Sequence, residues 1–327
     1  MQYRFGLGLP TNGPFAQADS LLRCATAAEE LGLDDVWTND FLDWTPARMR
    51  KSTAGSYEAA TGQDPNVFEG LTTLALVGGR LHRIGLINGG MVLPLRNPIL
   101  FAKQIATLHE LSGRRLTISP AIGGVERDFE IMGIPFKQRG RLMDEHLALL
   151  HQIFFSEHPV SYEGPFVRFT DATLYPKPQD LRLWITGDSE PAWERVAKWG
   201  TGWLCSYPSV ADYPAKFARM REIVSAAGRD PDAIVTAASV FICVARTRDD
   251  ALAIASRSLV DRFGSLEVGL QKAVVGSVDE VIAQLAERHR IGLRHLEMKF
   301  FAHDLDSYLE MLARTAEDVL PTLRRLS

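Results

Sequence analysis

Tyr3–Phe15, YRFGLGLPTNGPF, is the stretch that decides between two parallel-sheet architectures. Its first half reads as a β-strand ending at Pro10. A helical pattern with Leu21, Ala25 and Ala28 on one face follows, and Leu31–Asp40, LGLDDVWTND, then returns to a strand. An open dinucleotide-binding sheet would carry a G-x-G-x-x-G loop at this first turn, running straight into a helix. Gly8–Phe15, GLPTNGPF, does not.

The alternation continues to the end of the chain. A polar insertion, Trp44–Pro65, precedes a helix near Leu71–Arg80, and Ile84–Pro98, IGLINGGMVLPLRNP, is the third strand and its exit. A helix with Phe101, Ile105 and Leu108 on one face leads to the fourth strand in SGRRLTISPAIGG, with Gly113 just past the helix end. A helix from Gln138 to Phe155 precedes an irregular excursion with a short hairpin over residues 156–180. LRLWITG, TGWLCS, IVTAASVFICVA and LRHLEMKF then supply four more strands. Ser209 with Asp212 and Ser277 with Glu280 mark helix starts. Eight such units predict a (β/α)8 TIM barrel spanning 1–327 as one domain, with 44–65 as a lid insertion and an open doubly wound sheet as the rival.

Bulk composition narrows the function. A chain of 327 residues with 46% hydrophobic residues and net charge −4 is an ordinary globular composition without bias toward polyanions, so nucleic acid is not an expected partner. The N-terminus reaches charge, glycine and proline too soon for a signal peptide, and no apolar run is long enough for a membrane span; a cytoplasmic protein is expected. Cys24, Cys205 and Cys243 lie far apart, form no metal motif and read as buried small apolar residues.

In a barrel, reactive groups belong at the C-terminal ends of the strands. That position nominates Asp40, Asn88–Gly90, Ala121–Gly124, Gly187–Ser189, Ser206 with Tyr207, and Phe300–His303. Thr186–Ser189 could cradle a phosphate through Gly187, Ser189 and the following amides, or Ser189 could simply cap the helix that contains Pro191. Asp40 could orient a substrate, or serve as a cap or ion-pair partner. His146 shares a face with Leu142, Leu149 and Ile153 and reads as a hydrogen-bonded core histidine. His82, His109, His151 and His289 read as surface residues, while His295 sits near the stability face of the barrel. Arg139 and Arg141 could bind an anion, or pair with Asp144 and Glu145 at a helix start. No Ser-His-Asp order, nucleophile elbow, P-loop or metal motif appears, which suits a bound cofactor doing the difficult chemistry.

Five stretches carry a family resemblance: AAEELGLDDVWTND, VLPLRNPILFAKQIATLHELSGRRL, RDFEIMGIPFKQRGRLMDEHL, VSYEGPFVRF with LYPKPQ, and LWITGDSEPAWERVAKWGTGWL. In order and spacing the chain resembles the bacterial luciferase-like flavin-dependent oxidoreductases, barrels that use reduced FMN with oxygen or the deazaflavin F420. The resemblance implies that Asn88 and Gly89 lie against the cofactor ring beside a backbone bulge with a non-proline cis peptide. It implies that Gly187, Asp188 and Ser189 bind the cofactor phosphate, with Gly123 in the pocket floor. Phe41, Trp44 and Tyr207 would wall the substrate pocket.

Two departures stand out. Ser119 and Ala121 replace glycines of the family's pocket-floor loop. Many relatives read Asp-His where this chain reads Asp40-Phe41, and phenylalanine cannot act as a general base, which disfavours alcohol dehydrogenation. The leading expectation is a luciferase-like monooxygenase acting with reduced FMN and oxygen on a small organic substrate, supplied by a separate reductase and forming a homodimer like many relatives. F420-linked hydride transfer and a catalytically silent flavin- or ligand-binding barrel are the alternatives.

Overall fold

In the computed structural model, which describes residues 2–13, 15–42, 66–157, 159–178 and 180–326, the alternation closes into a barrel. Its strands are β1 (Arg4–Gly8), β2 (Asp35–Thr38), β3 (Gly85–Val92), β4 (Leu116–Ala121), β7 (Arg182–Thr186), β8 (Gly202–Ser206), β9 (Val235–Val244) and β11 (His295–Phe300). Every neighbouring pair is parallel, and the β8–β9 and β11–β1 pairings close the ring, so the open-sheet rival is excluded. A short strand, β10 (Val274–Gly276), adds to the outer end of β9. The hairpin expected in the excursion is β5 (Val160–Glu163) against β6 (Arg168–Ala172).

Local signals set the helices. α1 (Ala18–Glu30) buries Leu21, Cys24, Ala25 and Ala28 against the sheet. α2 (Gly70–Arg80) begins where the Glu69 carboxylate accepts the amides of Leu71 and Thr72. α3 (Pro98–Leu111) is capped by Asn97 and stops before Gly113, whose φ of +70° suits glycine. α4 (Glu126–Ile131) and α5 (Arg139–Phe155) follow, then α6 (Glu190–Trp199), α7 (Tyr213–Ala226), α8 (Arg248–Phe263) and α9 (Leu266–Lys272). α10 (Val278–Arg290) carries the expected capping box of Ser277 and Glu280, and α11 (Leu305–Arg314) completes the outer layer. The three cysteines are buried and free, and burial pushes the Cys24 and Cys243 thiols up to about 12.

Two apolar regions result. The larger lies between sheet and helices; a small one of Trp37, Ile87, Trp184, Leu204 and Ala237 fills the barrel axis. Trp37 fits inside because glycines face it. A Cβ at Gly89 would come within 2.9 Å of the indole, and one at Gly6 would overlap both Trp37 and the Asp35 carboxylate. Trp37 Nε1 donates to Asp35 in the same layer. Gly6→Ala should therefore destabilise the fold by about 1–3 kcal/mol through overpacking, read as a lower urea midpoint at unchanged slope. An unchanged midpoint would show that the axis can relax around a methyl group.

Candidate active site at the C-terminal mouth

The period-two pattern of β11 builds the centre of the mouth. In HLEMKF, His295, Glu297 and Lys299 point along the axis while Leu296, Met298 and Phe300 meet the outer layers. Lys299 Nζ donates to Asn39 Oδ1 at 3.2 Å and to the Tyr207 hydroxyl at 3.1 Å, and lies 3.2 Å from Glu297 Oε1. Ser239 donates to the other oxygen of Glu297. Burial works against the ammonium charge, but Glu297 and Tyr207 outweigh it and hold the Lys299 pKa above its ordinary value. With its side chain 17% exposed, Lys299 is a fixed cation at the barrel opening.

Tyr207 reinforces that reading. Its φ of +49° is a left-handed conformation that costs a non-glycine residue about 1–2 kcal/mol. The ring stacks on Phe241 at 5.2 Å between centroids, with the Arg262 guanidinium 4.6 Å above it, and these contacts hold the hydroxyl on Lys299.

Asp40 has a definite structural duty. It accepts the Val92 amide at 2.9 Å and Arg96 at 2.6 Å, and Arg96 also reaches Glu69 at 2.9 Å. Burial raises the Asp40 pKa, with Arg96 and the Val92 amide pulling the other way. The carboxylate thus clamps the end of β3, where the register with β4 slips between Gly89 and Met91 and Gly90 takes a φ of +89°. The expected bulge is present. The expected cis peptide is not there: among the described residues the cis bond is Tyr175–Pro176.

Asn88 is fully buried with its side chain turned toward α2, where Nδ2 donates to Thr38 Oγ1 at 2.9 Å and Thr38 donates to the Gly70 carbonyl. Only its backbone and that of Gly89 remain to face a ring. Gly123, with φ +78°, is needed because a Cβ would press on Val92 and Phe129. Ser119, at a family glycine position, directs its hydroxyl to the Trp184 carbonyl and to Thr186 Oγ1 at 2.7 Å, so the floor there is already occupied by hydrogen bonds of the barrel itself.

The turn after β7 leaves one serine hydroxyl uncommitted beside two paired carboxylates. Gly187 has a φ of +139°, and its carbonyl accepts Trp203 Nε1 at 2.7 Å. Ser189 is the N-cap residue of α6 by backbone geometry, yet its hydroxyl makes no capping hydrogen bond. Asp188 is countered by Lys216 at 3.3 Å and Glu190 by Arg219 at 2.7 Å. Phe41 lies at the mouth end of the β2 exit, whereas Trp44 and the 44–65 insertion lie outside the described residues.

Two smaller expectations are corrected. His109 is buried rather than on the surface, because Asp180 accepts from it at 3.0 Å under the loop before β7. Asp144 pairs with Arg195 at 2.6 Å, and Glu145 accepts the Phe166 and Val167 amides; Arg139 and Arg141 instead lie over the rings of Phe136 and Phe166. Lys299, Asn39 and Arg96 were missed, although the alternating His-x-Glu-x-Lys of β11 was a readable signal of inward charge.

A family model described as luciferase-like monooxygenase matches residues 2–264. The chain belongs to that family. Among curated relatives of this luciferase-like protein, the F420-dependent glucose-6-phosphate dehydrogenase of Amycolatopsis mediterranei is 24% identical over 335 residues, covering 94% of this chain and 95% of that one. An F420-dependent secondary alcohol dehydrogenase solved with an F420–acetone adduct superposes with a TM-score of 0.82 over 99% of both chains at 16% identity. The oxygenating constituent of a 3,6-diketocamphane monooxygenase from Pseudomonas putida, solved with FMN, gives 0.77 over 98% of this chain and 99% of that one, at 16% identity. These structural likenesses bear on the fold, and the family is one of oxidoreductases that use F420 or a flavin.

Arg96→Met should cost about 1–3 kcal/mol by leaving Asp40 without its cation, and Asp40→Asn in the same chain should recover part of the loss in a double-mutant cycle. Strict additivity would rule the clamp out. His146 donates from Nδ1 to the Leu93 carbonyl at 3.2 Å, and burial holds its pKa below the ordinary 6.5 despite that bond and Glu145. Folding therefore favours neutral His146: the stability it contributes is present above the ordinary value and is lost as pH falls through the lowered one. His146→Gln should flatten the fall in urea midpoint between about pH 7 and pH 5; an identical slope would contradict the assignment.

Proposed function

We propose that the protein is an F420-dependent oxidoreductase that works in the reductive direction, passing hydride to an activated C=C or C=O acceptor. The observation that carries this reading is the pairing of a fixed cation, Lys299, with a phenylalanine at position 41 beside an Asp40 carboxylate already committed to Arg96 and the Val92 amide. Alcohol oxidation needs a group to take the substrate proton, and Phe41 has no atom that can. Reduction instead places negative charge on the acceptor, and a held ammonium meets that charge as it develops.

The residues present fit a phosphate-bearing cofactor. The unspent Ser189 hydroxyl, the Gly187 turn and the start of α6 offer donors, with Lys216 offsetting Asp188. At the end of β3 the open backbone is at Gly90, where a Cβ would meet no atom within 4 Å, and a flat ring could lie against it; the bare face of Gly89 is taken by Trp37. When bound, the reduced deazaflavin would supply the hydride. Lys299 keeps its proton and binds the acceptor oxygen, while Tyr207, which accepts from Lys299, has its own O–H left to donate. Phe41 and Tyr207 form apolar walls that limit water.

The choice of F420 over reduced FMN draws support from the near full-length similarity to the Amycolatopsis enzyme, whose name carries that cofactor. The test is to follow oxidation of reduced F420 with a panel of enones, quinones and ketones. Turnover of at least one acceptor is expected, with Lys299→Met lowering kcat by about 10²–10³-fold, the scale for losing one oxyanion donor, and leaving cofactor affinity unchanged. Oxygenation of an organic substrate with reduced FMN, and no oxidation of reduced F420 by any acceptor, would overturn the proposal.

A further inference from the structure

The opposite, N-terminal end of the barrel holds a cavity of about 240 Å³. Arg4, Arg115, Arg182, Arg294, Trp184 and His295 line it. Four guanidinium groups around one small cavity is a costly arrangement, because like charges repel and each must be desolvated. Their carboxylate partners are few. Arg4 has Asp34 at 3.5 Å and Asp35 at 3.8 Å; Asp35 is the carboxylate that lines the cavity itself, where it accepts from Trp37 and lies 2.6 Å from His295. Among the described residues no carboxylate forms an ion pair with Arg115, Arg182 or Arg294.

The arginines are nonetheless held in place. Arg115 spends its donors on the carbonyls of Ser112, Ile84, Gly78 and Leu81 and contributes charge without being able to move. Arg182 donates within the protein from Nε, to Thr117 Oγ1 at 3.0 Å, and Arg294 from Nη1, to the His289 and Leu293 carbonyls. Their remaining N–H groups have no partner among the described residues. Trp184 adds a second kind of signal: it is 3% exposed, lines the cavity, and its Nε1 has no acceptor. Burial, then the charge of Arg4, lowers the Arg182 pKa, with Asp35 and Asp180 pulling the other way.

We propose that this end of the barrel is a second ligand site, for a small multivalent oxyanion of the phosphate or dicarboxylate type, gripped by Arg182 and Arg294 in the field of Arg115 and Arg4. An oxyanion would supply the missing counter-charge and accept from several guanidinium groups at once. The cavity volume suits a free anion of that size rather than a nucleotide. The site lies across the barrel from Ser189 and Lys299, so it is independent of the cofactor reading.

Isothermal titration with inorganic phosphate and, separately, succinate, at ionic strength held constant with sodium chloride, tests it. Saturable binding of at least one anion is expected, and which one binds identifies the source. Arg182→Gln and Arg294→Gln should each weaken binding about tenfold or more, the value of a charged hydrogen bond. Arg182→Lys should retain part of the affinity, which separates loss of charge from loss of fold. Arg257→Gln, on the exposed face of α8, should leave the affinity unchanged. Failure of both anions to bind, or binding that Ser189→Ala abolishes and the Arg182 and Arg294 variants do not, would overturn the proposal.

Discussion

The barrel depends on how its narrow axis accommodates Trp37 and Trp184. Parallel strands closed into a ring leave room for layered side chains but not for bulk on every strand. Here two indoles, with ring centroids 5.8 Å apart, occupy the middle layers, and the facing positions are correspondingly bare, above all at Gly6 and Gly89. The indoles divide the axis. Polar groups collect on either side of them, and those two ends have different chemistry.

At the C-terminal end charge is balanced. Lys299 is matched by Glu297, and Asp40 by Arg96, so the ionic groups are fixed before any ligand arrives. This is the character expected of a reacting site, in which dipoles are set in advance and the outcome depends on where a cation is held. At the N-terminal end charge is unbalanced, with guanidinium groups pinned by carbonyl oxygens and short of carboxylates. That end is better described as a binding surface than a reactive one, because its guanidinium groups outnumber the carboxylates among the described residues and Asp35 with His295 is its closest acid–base pair.

Much of this was legible in the sequence. The βα alternation, the closure into a barrel, the α10 capping box and the hairpin after α5 follow from periodicity and from turn residues. The site was legible in position more than in role. Asp40, Asn88, Gly187 and Tyr207 do stand at strand ends, but strand position does not say which way a side chain turns. Asn88 faces α2 because Gly70 leaves space for it, and that space depends on a helix eighteen residues earlier in the chain. Asp40 finds Arg96 across the bulge in β3, a contact no local pattern encodes. Lys299 is the reverse case: its inward direction is written in the alternation of HLEMKF, which puts His295 and Glu297 on the same face.

The central claim is that the C-terminal mouth holds F420 through the turn at Gly187–Ser189. Anaerobic equilibrium dialysis of the purified protein against F420 and against reduced FMN tests it most directly. We expect one equivalent of F420 to be retained, with affinity reduced by about 1–3 kcal/mol in Ser189→Ala, and reduced FMN to be held far more weakly. Retention of reduced FMN with exclusion of F420, or F420 binding indifferent to Ser189→Ala, would contradict it.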